Sequence, residues 1–264
     1  MKLGVIGLGN MASAMIGGII KAGIFAPADI CGSDYSSAQA DKAKEAFKIN
    51  AGTDNKAAIA GADYVIMAVK PQVYESVLLE VKEALTEGQV LISIAPGKTL
   101  SYLADRLNPS QKIVRLMPNT PALVSEGCTG VCRNEYVTDD EFEFVLKLLS
   151  SFGRAYEVKE NQMDAVVAVS GSSPAYVFML IEAMADGAVA EGLDRPTAIK
   201  MAAQAVLGSA KMVLETGKHP GELKDMVCSP AGTTIDAVAV LEQAGFRGAV
   251  IEAEKVCADK SRSL

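Results

Sequence analysis

A glycine-rich turn near the amino terminus constrains the fold more than any other feature of the sequence. Leu3–Ile6 has the pattern of a short apolar strand, and Gly7-Leu8-Gly9-Asn10-Met11-Ala12 leads from it into a helical pattern that continues to about Lys21. In Gly-x-Gly-x-x-Ala the first glycine makes the turn, the second lets the main chain approach a pyrophosphate, and the small third residue lets helix pack on strand. With strand and helix both present, the motif predicts a dinucleotide site. An ordinary tight turn remains the alternative.

Apolar strands and amphipathic helices alternate through the first 159 residues. One helix is predicted from about Val73 to Leu85, and Thr138-Asp139-Asp140-Glu141 fits a capping box that opens another. Four loops that follow predicted strands contain Gly or Pro: Gly7–Ala12, Lys70-Pro71, Ala95-Pro96-Gly97 and Met117–Pro121. In a parallel sheet these loops share one edge, and ligands bind in the crevice there. The alternation therefore predicts an α/β fold, with a Rossmann-type doubly wound sheet that forms a dinucleotide-binding domain over residues 1–159.

From Glu160 onward almost every segment has helical spacing, which predicts an all-helical domain over residues 160–264. Two long helices, near Pro174–Glu191 and Pro196–Glu215, are rich in Ala, Gly and Met. They are apolar over more of their circumference than a surface helix should be. Because about a hundred residues cannot bury that surface alone, we expect this domain to pack against a second copy of the chain.

The composition of the chain restricts the kinds of partner that it can bind. The net charge is −7 and no basic run compensates for it, which argues against nucleic acid and against an anionic membrane surface. The uncharged run Ala165–Ile181 contains Ser170-Gly171-Ser172-Ser173-Pro174, which we interpret as a break that argues against a membrane-spanning helix. The sequence enters a strand pattern directly, without a leader, so we expect a cytoplasmic protein.

The cysteines and the histidine do not have the spacing of a metal site. There are five cysteines, none of them in a Cys-x-x-Cys pair, and one histidine, His219. We therefore expect no metal site and no disulfide framework, but reduced and mostly buried thiols. His219 stands beside Pro220-Gly221 and is interpreted as a loop residue rather than a catalyst.

A second loop-to-helix junction lies far along the chain. Ser229-Pro230-Ala231-Gly232-Thr233-Thr234 precedes an apolar run with helical spacing. Free N–H groups and the helix dipole at such a start attract a small anion such as a carboxylate. The junction predicts a substrate pocket. The alternative is that the Thr hydroxyls only cap the helix.

The end of the second predicted strand, Asp29–Gly32, bears on the choice of cofactor. Asp34 can bond a ribose 2′-hydroxyl and would repel a 2′-phosphate. Ser33, Ser36 and Ser37 can instead donate to a phosphate, or cap the helix that follows. These residues are compatible with either NAD or NADP as cofactor. Asn55 can either cap a helix or contact the cofactor.

Taken together, the motifs resemble pyrroline-5-carboxylate reductase, and they occur in family order across nearly the whole chain. They are Gly7-Leu8-Gly9-Asn10-Met11-Ala12, Ala68-Val69-Lys70-Pro71, Met117-Pro118-Asn119-Thr120-Pro121, Ser170-Gly171-Ser172-Ser173-Pro174-Ala175-Tyr176, His219-Pro220-Gly221-Glu222-Leu223-Lys224-Asp225, and Ser229–Thr234 with Leu241-Glu242. Two positions depart from the family pattern. One is Ala231, where Gly is commoner, and the other is Asp34, whose carboxylate would repel the 2′-phosphate of the NADP that most members prefer.

The resemblance implies a Rossmann domain and a helical dimerisation domain, with homodimers assembling into a larger ring such as a decamer. The implied cofactor is NADP, with NAD possible, and the implied partner is a small-molecule substrate. Its cofactor-binding residues would be Ile6, Gly7, Leu8, Gly9, Asn10, Met11, Ser33, Asp34, Asn55, Ala68, Val69, Lys70, Pro71 and Ala95. Its substrate-binding residues would be Ser229, Ala231, Gly232, Thr233, Thr234, Met117 and Asn119.

The implied reaction is hydride transfer from NAD(P)H to the C=N carbon of 1-pyrroline-5-carboxylate, giving L-proline in the last step of proline biosynthesis. A protonated imine is already electrophilic, so no strong side-chain acid is required, and Thr234 is the candidate catalytic residue that bonds the ring nitrogen. Lys70 is interpreted as a strand-ending residue near the cofactor rather than a proton donor. A 3-hydroxyacid dehydrogenase would normally carry a catalytic lysine after Ser170–Tyr176, where none occurs. A nucleotide-sensing protein without turnover is the other alternative.

Overall fold

A computed structural model describes residues 1–263. It divides the chain into two compact units. One contains residues 1–172 together with 257–263, and we call it the sheet unit. The other is Ser173–Val256, which we call the helical unit.

The sheet unit is built on one mixed sheet. Within the described residues its strands are β1 (Leu3–Ile6), β2 (Ile30–Ser33), β3 (Asn50–Gly52), β4 (Tyr64–Met67), β5 (Val90–Ser93), β6 (Lys112–Met117), β7 (Gly127–Arg133) and β8 (Gly153–Glu157). Their order is β3-β2-β1-β4-β5-β6-β7-β8. The strand order reverses between β1 and β4, which is where ligands bind in doubly wound sheets.

The predicted parallel arrangement is correct for the first six strands but not for the whole sheet. β7 pairs antiparallel with β6, and β8 pairs parallel with β7. A short connection through a turn of 3-10 helix, Thr120–Val124, joins β6 to β7. An antiparallel neighbour can be reached by such a short connection, whereas a parallel one needs a crossover.

The helices of the sheet unit cover the sheet. They are α1 (Asn10–Lys21), α2 (Ser37–Phe47), α3 (Asn55–Ile59), α4 (Pro71–Val81), α5 (Leu100–Ala104), α6 (Asp139–Leu149) and α7 (Met163–Val166). Every residue of β1, β4 and β5 is buried. These strands lie between two apolar clusters, one around Ile16 and Phe152 and the other around Tyr74 and Leu78. Burial on both faces explains why they are apolar without alternation.

Local signals placed most element boundaries within one or two residues. The strand predicted at Asp29–Gly32 is β2, one residue later. The helix predicted from Val73 begins at Pro71, because proline lacks an N–H that the first turn would leave unbonded anyway. The capping box at Thr138 is confirmed: Thr138 Oγ1 accepts from Glu141 N, and the Glu141 carboxylate accepts from Thr138 N.

The predicted break at Ser170–Pro174 is wrong. Helical structure continues from Glu160 to Ala190, passing through a π-helical segment at Val167–Ser172. A π turn holds one extra residue and lets a helix pass a proline, whose missing N–H and bulky ring an ordinary α-turn does not accommodate. By length and composition alone this helix is long and apolar enough to cross a membrane, although core helices of soluble proteins pass the same test.

The helical unit comprises α8 (Ser173–Ala190), α9 (Arg195–Thr216), α10 (Pro220–Val227), α11 (Thr233–Gln243) and most of α12 (Phe246–Arg262). α8 and α9 pack on each other. Throughout Ser173–Val256, all of it described, the buried residues are three alanines, Ala185, Ala198 and Ala202. Phe178, Met179 and Met201 are each at least 60% exposed. The unit therefore leaves most of its large apolar side chains uncovered.

Candidate active site

The first glycine of the amino-terminal turn is fixed by its surroundings. Gly7 has a φ of 87°, and its N–H donates to the Ser33 carbonyl over 2.7 Å. A Cβ at this position would lie 2.8 Å from the Ala68 carbonyl oxygen. Both the backbone conformation and the close approach of Ala68, directly after β4, therefore require glycine here.

The second glycine is required by nothing in the protein itself. A Cβ on Gly9 would meet no further atom of residues 1–263 within 4 Å. Gly9 is the N-cap of α1, and no side chain in the described chain caps that helix. The first N–H groups of α1 and its positive dipole end are thus available to an anion.

A cavity of about 750 Å³ opens beside this turn. It is lined by Gly7, Gly9, Asp34, Tyr35, Ser36, Gln39, Asn55, Ala68, Val69, Lys70, Gln72, Val73, Ser76, Val77 and Glu80. Its volume is typical of a cofactor pocket, which ranges over roughly 300–1,000 Å³. The open side of Gly9 and the uncapped α1 provide room and N–H donors for a pyrophosphate, so these residues fit a dinucleotide.

Half of the predicted cofactor residues line this cavity. They are Gly7, Gly9, Asp34, Asn55, Ala68, Val69 and Lys70. The other half, Ile6, Leu8, Asn10, Met11, Ser33, Pro71 and Ala95, are not among its lining residues. Ile6, Leu8, Ser33 and Ala95 are buried behind the surface of the turn and strands. A direct cofactor contact of these seven stays a prediction.

Sequence reasoning missed one wall of the cavity. Gln72, Val73, Ser76, Val77 and Glu80 come from α4, spaced three or four residues apart on one helical face. That spacing after Lys70-Pro71 was the available signal. Tyr35 and Ser36, between β2 and α2, and Gln39, in the first turn of α2, also line the cavity.

The structure shows which of the polar residues near β2 cap a helix. Ser36 caps α2 by accepting from Gln39 N, and Asp54 rather than Asn55 caps α3. The Asn55 amide instead accepts from Ser33 Oγ over 2.8 Å and donates to Glu80 over 3.0 Å. Asn55 therefore presents a braced amide at the cavity wall.

Asn119, predicted to touch the substrate, is a buried brace. Its Nδ2 donates to the Ser170 carbonyl over 2.9 Å, and its Oδ1 accepts from Cys128 N over 2.8 Å. It thereby ties the loop after β6 to β7 and to the π segment. Met117, the other predicted substrate residue of this loop, lies against Gly171, where a Cβ would approach its methyl group to 2.8 Å. Neither arrangement tests their contact with substrate.

The second predicted loop leads into α11 as expected. Gly232 is the N-cap of α11, with Thr233 and Thr234 in the first turn, and no side chain among the described residues caps this helix. The Thr hydroxyls therefore do not serve as the N-cap. Gly232 N donates to the Ser229 carbonyl over 3.1 Å, and a Cβ on Gly232 would collide with Ser229 Oγ.

Ala231, which stands where Gly is commoner in the family, has a strained backbone. Ala231 has a φ of 56°, in the left-handed region. This conformation costs an L-residue roughly 1–2 kcal/mol and costs glycine little. The preference for Gly at this position thus has a local physical reason.

The remaining candidate groups are His219 and the five cysteines. His219 caps α10, its Nδ1 accepting from Gly221 N over 3.1 Å. Within residues 1–263 no cluster of His, Cys, Asp or Glu could hold a metal ion. Of the expected mostly buried thiols, Cys132 is buried, whereas Cys31, Cys128, Cys228 and Cys257 are only half-buried. Burial raises the pKa of the Cys128 thiol.

Comparison with known proteins identifies the family. A family model described as pyrroline-5-carboxylate reductase dimerisation matches residues 160–264, and one described as NADP oxidoreductase, coenzyme F420-dependent, matches residues 2–97. The chain is 51% identical to pyrroline-5-carboxylate reductase of Escherichia coli (strain K12), over 100% of this chain and 98% of that protein. The chain belongs to the pyrroline-5-carboxylate reductase family.

Solved structures agree with this family and with the predicted fold class. A pyrroline-5-carboxylate reductase from Coxiella burnetii superposes with a TM-score of 0.93 at 35% identity, covering 99% of this chain and 97% of the other. The Plasmodium falciparum pyrroline carboxylate reductase, solved with NADP bound, gives 0.89 at 34% identity, covering 100% and 97%. The predicted Rossmann-type sheet followed by a helical dimerisation region is confirmed.

The two glycines of the turn should respond differently to alanine. Gly7→Ala forces a side chain into the left-handed region and against Ala68, so the free energy of unfolding should fall by about 3 kcal/mol. Gly9→Ala should cost less than about 1 kcal/mol, because only the cap weakens, but should reduce NADPH affinity about tenfold or more by filling the space of a phosphate. Thermal unfolding and nucleotide titration measure the two effects. Full NADPH affinity in Gly9→Ala would contradict the phosphate position.

Relief of strain at Ala231 is also measurable. Ala231→Gly should raise the free energy of unfolding by about 0.5–1 kcal/mol, the strain removed less the entropy that glycine adds to the unfolded chain. Ala237→Gly, inside the following helix, is the matched control and should lower it by about 1 kcal/mol. Denaturant unfolding at fixed protein concentration compares them. Equal losses in both variants would show that Ala231 is unstrained.

Proposed function

We infer that the chain reduces 1-pyrroline-5-carboxylate to L-proline, the last step of proline biosynthesis, using NAD(P)H. The observation that carries this conclusion is similarity to pyrroline-5-carboxylate reductases over the full length of the chain. The chain is accordingly an NAD(P)H-dependent oxidoreductase that acts on a C=N bond. When bound, the reduced nicotinamide supplies the hydride, and the protein supplies position and field.

The cofactor site is the cavity beside the glycine-rich turn. The uncapped N–H groups of α1 hold the pyrophosphate, and the open side of Gly9 admits it. Asn55 and Ala68–Lys70 line the remaining wall. The NADP-bound Plasmodium falciparum relative and the match to an NADP oxidoreductase model support NADP as cofactor, with NAD as the alternative.

The substrate site is the start of α11. Its first N–H groups, left without a side-chain cap at Gly232, suit the substrate carboxylate. The Thr233 and Thr234 hydroxyls stand in the first turn of the same helix, and we assign the hydrogen bond to the ring nitrogen to Thr234. Ser229 and Ala231 set the path of the loop. Met117 and Asn119 remain predicted substrate residues.

No strong acid is needed in this scheme. The imine nitrogen enters protonated, which makes the neighbouring carbon electrophilic, and Thr234 holds that N–H through hydride transfer. Among the candidate groups, Lys70 lines the cofactor cavity, and the His219 imidazole is engaged as a helix cap. The chain therefore acts by positioning and by field rather than by a dedicated side-chain acid.

The exposed helical unit supports oligomerisation. We assign its uncovered apolar surface to a second copy of the chain, as the dimerisation family model over residues 160–264 suggests. The start of that model also supports our predicted domain boundary between residues 159 and 160. Assembly into a larger ring such as a decamer, a cytoplasmic location, and coverage of the apolar Glu160–Ala190 helix by protein rather than membrane belong to the same proposal.

A coupled assay tests the reaction. Purified protein mixed with pyrroline-5-carboxylate and NADPH, or NADH in a parallel reaction, should consume the reduced cofactor and yield an equal amount of proline. Omitting the imine is the control. Tight nucleotide binding without proline formation would favour the nucleotide-sensing alternative.

The role of Thr234 makes a separate prediction. Thr234→Ala should lower kcat by about tenfold to a hundredfold, because it removes the hydrogen bond that orients the ring nitrogen, and with it the C=N carbon, for hydride transfer. Thr234→Ser should retain most of the activity, and NADPH affinity should not change in either variant. Thr216→Ala, at the far end of α9, is the matched control. An unchanged kcat in Thr234→Ala would remove this residue from the mechanism.

A further inference from the structure

The peptide of Leu8, in the middle of the glycine-rich turn, is held from both sides by side chains of the β2–α2 segment. Leu8 N donates to Asp34 Oδ2 over 2.9 Å, and Gln39 Nε2 donates to the Leu8 carbonyl over 2.5 Å. These contacts span 26 and 31 positions of sequence. We call Asp34 and Gln39 the Leu8 clamp.

The two clamp residues are themselves connected. The second carboxylate oxygen of Asp34 accepts from Ser36 N over 3.0 Å. Ser36 Oγ in turn caps α2 by accepting from Gln39 N over 3.4 Å. Asp34 is only 8% exposed, and each of its oxygens holds a main-chain N–H. Its carboxylate lines the cavity but already holds two main-chain N–H groups of the protein.

The Leu8 side chain adds a third restraint. It is fully buried, and it lies so close to β2 that a Cβ on Gly32 would be 2.8 Å from Leu8 Cδ2. With its side chain enclosed and both main-chain polar groups bonded, Leu8 has little freedom. The next residue, Gly9, begins the uncapped end of α1. The position of the Leu8 peptide therefore sets where the free N–H groups of α1 point.

We propose that Asp34 and Gln39 are positioning residues that hold the glycine-rich turn in place for the cofactor pyrophosphate, and that Asp34 does not select between NADH and NADPH. The proposal rests on the proposed cofactor site. It departs from the usual expectation for an acidic residue after the second strand, which is a bond to the ribose 2′-hydroxyl. Here both carboxylate oxygens bond main-chain N–H groups, and such charge-assisted bonds are the stronger kind.

The experiment measures affinity for both nucleotides in two clamp variants. Asp34→Asn replaces one of the two acceptor oxygens with an NH₂ group, and Gln39→Leu removes the donor to the Leu8 carbonyl. Each should raise the Kd of NADPH and of NADH by about tenfold, with the ratio of the two Kd values unchanged within about threefold. Asp41→Asn, an exposed position on α2, is the charge-matched control and should leave both Kd values unchanged.

A double variant separates a shared task from two unrelated ones. Because both side chains hold one peptide, Asp34→Asn combined with Gln39→Leu should raise Kd by less than the product of the single effects. A purely structural weakening would lower the melting temperature without this coupling and without a selective effect on nucleotide affinity.

Three results would overturn the proposal. A tenfold or larger change in the NADPH to NADH affinity ratio in Asp34→Asn would make Asp34 a ribose reader. Unchanged Kd values in Gln39→Leu would show that the clamp is not needed, and this variant decides alone if Asp34→Asn does not fold. Effects of the single variants that multiply fully would deny a shared task. If the unaltered protein binds neither nucleotide, the proposed function itself fails, which is a distinguishable outcome.

Discussion

The close approach of the Gly7 main chain to the Ala68 carbonyl is the contact on which the nucleotide site depends. It lies where β1 and β4 are neighbours, and Ala68 N also donates to the Ile6 carbonyl over 2.7 Å. A side chain at Gly7 would push apart the two loops that line the cavity. With this contact made, Leu8 lies over β2 and Gly9 begins α1, so the N–H groups of that helix face open space.

The proposed substrate site at α11 shares one feature with the nucleotide site, a helix that starts without a side-chain cap. Gly9 is the N-cap of α1 and Gly232 is the N-cap of α11, and in the described chain neither helix has a side-chain cap. Five helices, α2, α3, α5, α6 and α9, satisfy one of their first N–H groups with a Ser, Thr or Asp side chain. The two helices assigned to ligands leave theirs free instead. Donors at a helix start that lack a side-chain partner are satisfied by water or by a bound anion.

Sequence reasoning succeeded where neighbouring residues decide the structure. The strand, turn and helix around Gly7 and the capping box at Thr138 depend on residues within a few positions of one another. Reasoning failed where distant residues meet. The bonds from Gln39 to Leu8 and from Asn119 to Ser170 join residues 31 and 51 positions apart, and no local pattern announces them. The run Ser170–Pro174 misled because its residues disfavour an α-helix individually, while a π turn accommodates them together.

An interior made of three alanines has a consequence for how the helical unit exists at all. So small a buried set cannot offset the conformational entropy lost by five helices. Folding of this unit and association of subunits are then one equilibrium, and its midpoint moves with protein concentration. Dilution as well as heat can then dissociate the subunits and unfold this unit. In a cell, the amount of enzyme made would itself help to decide how much of it is active.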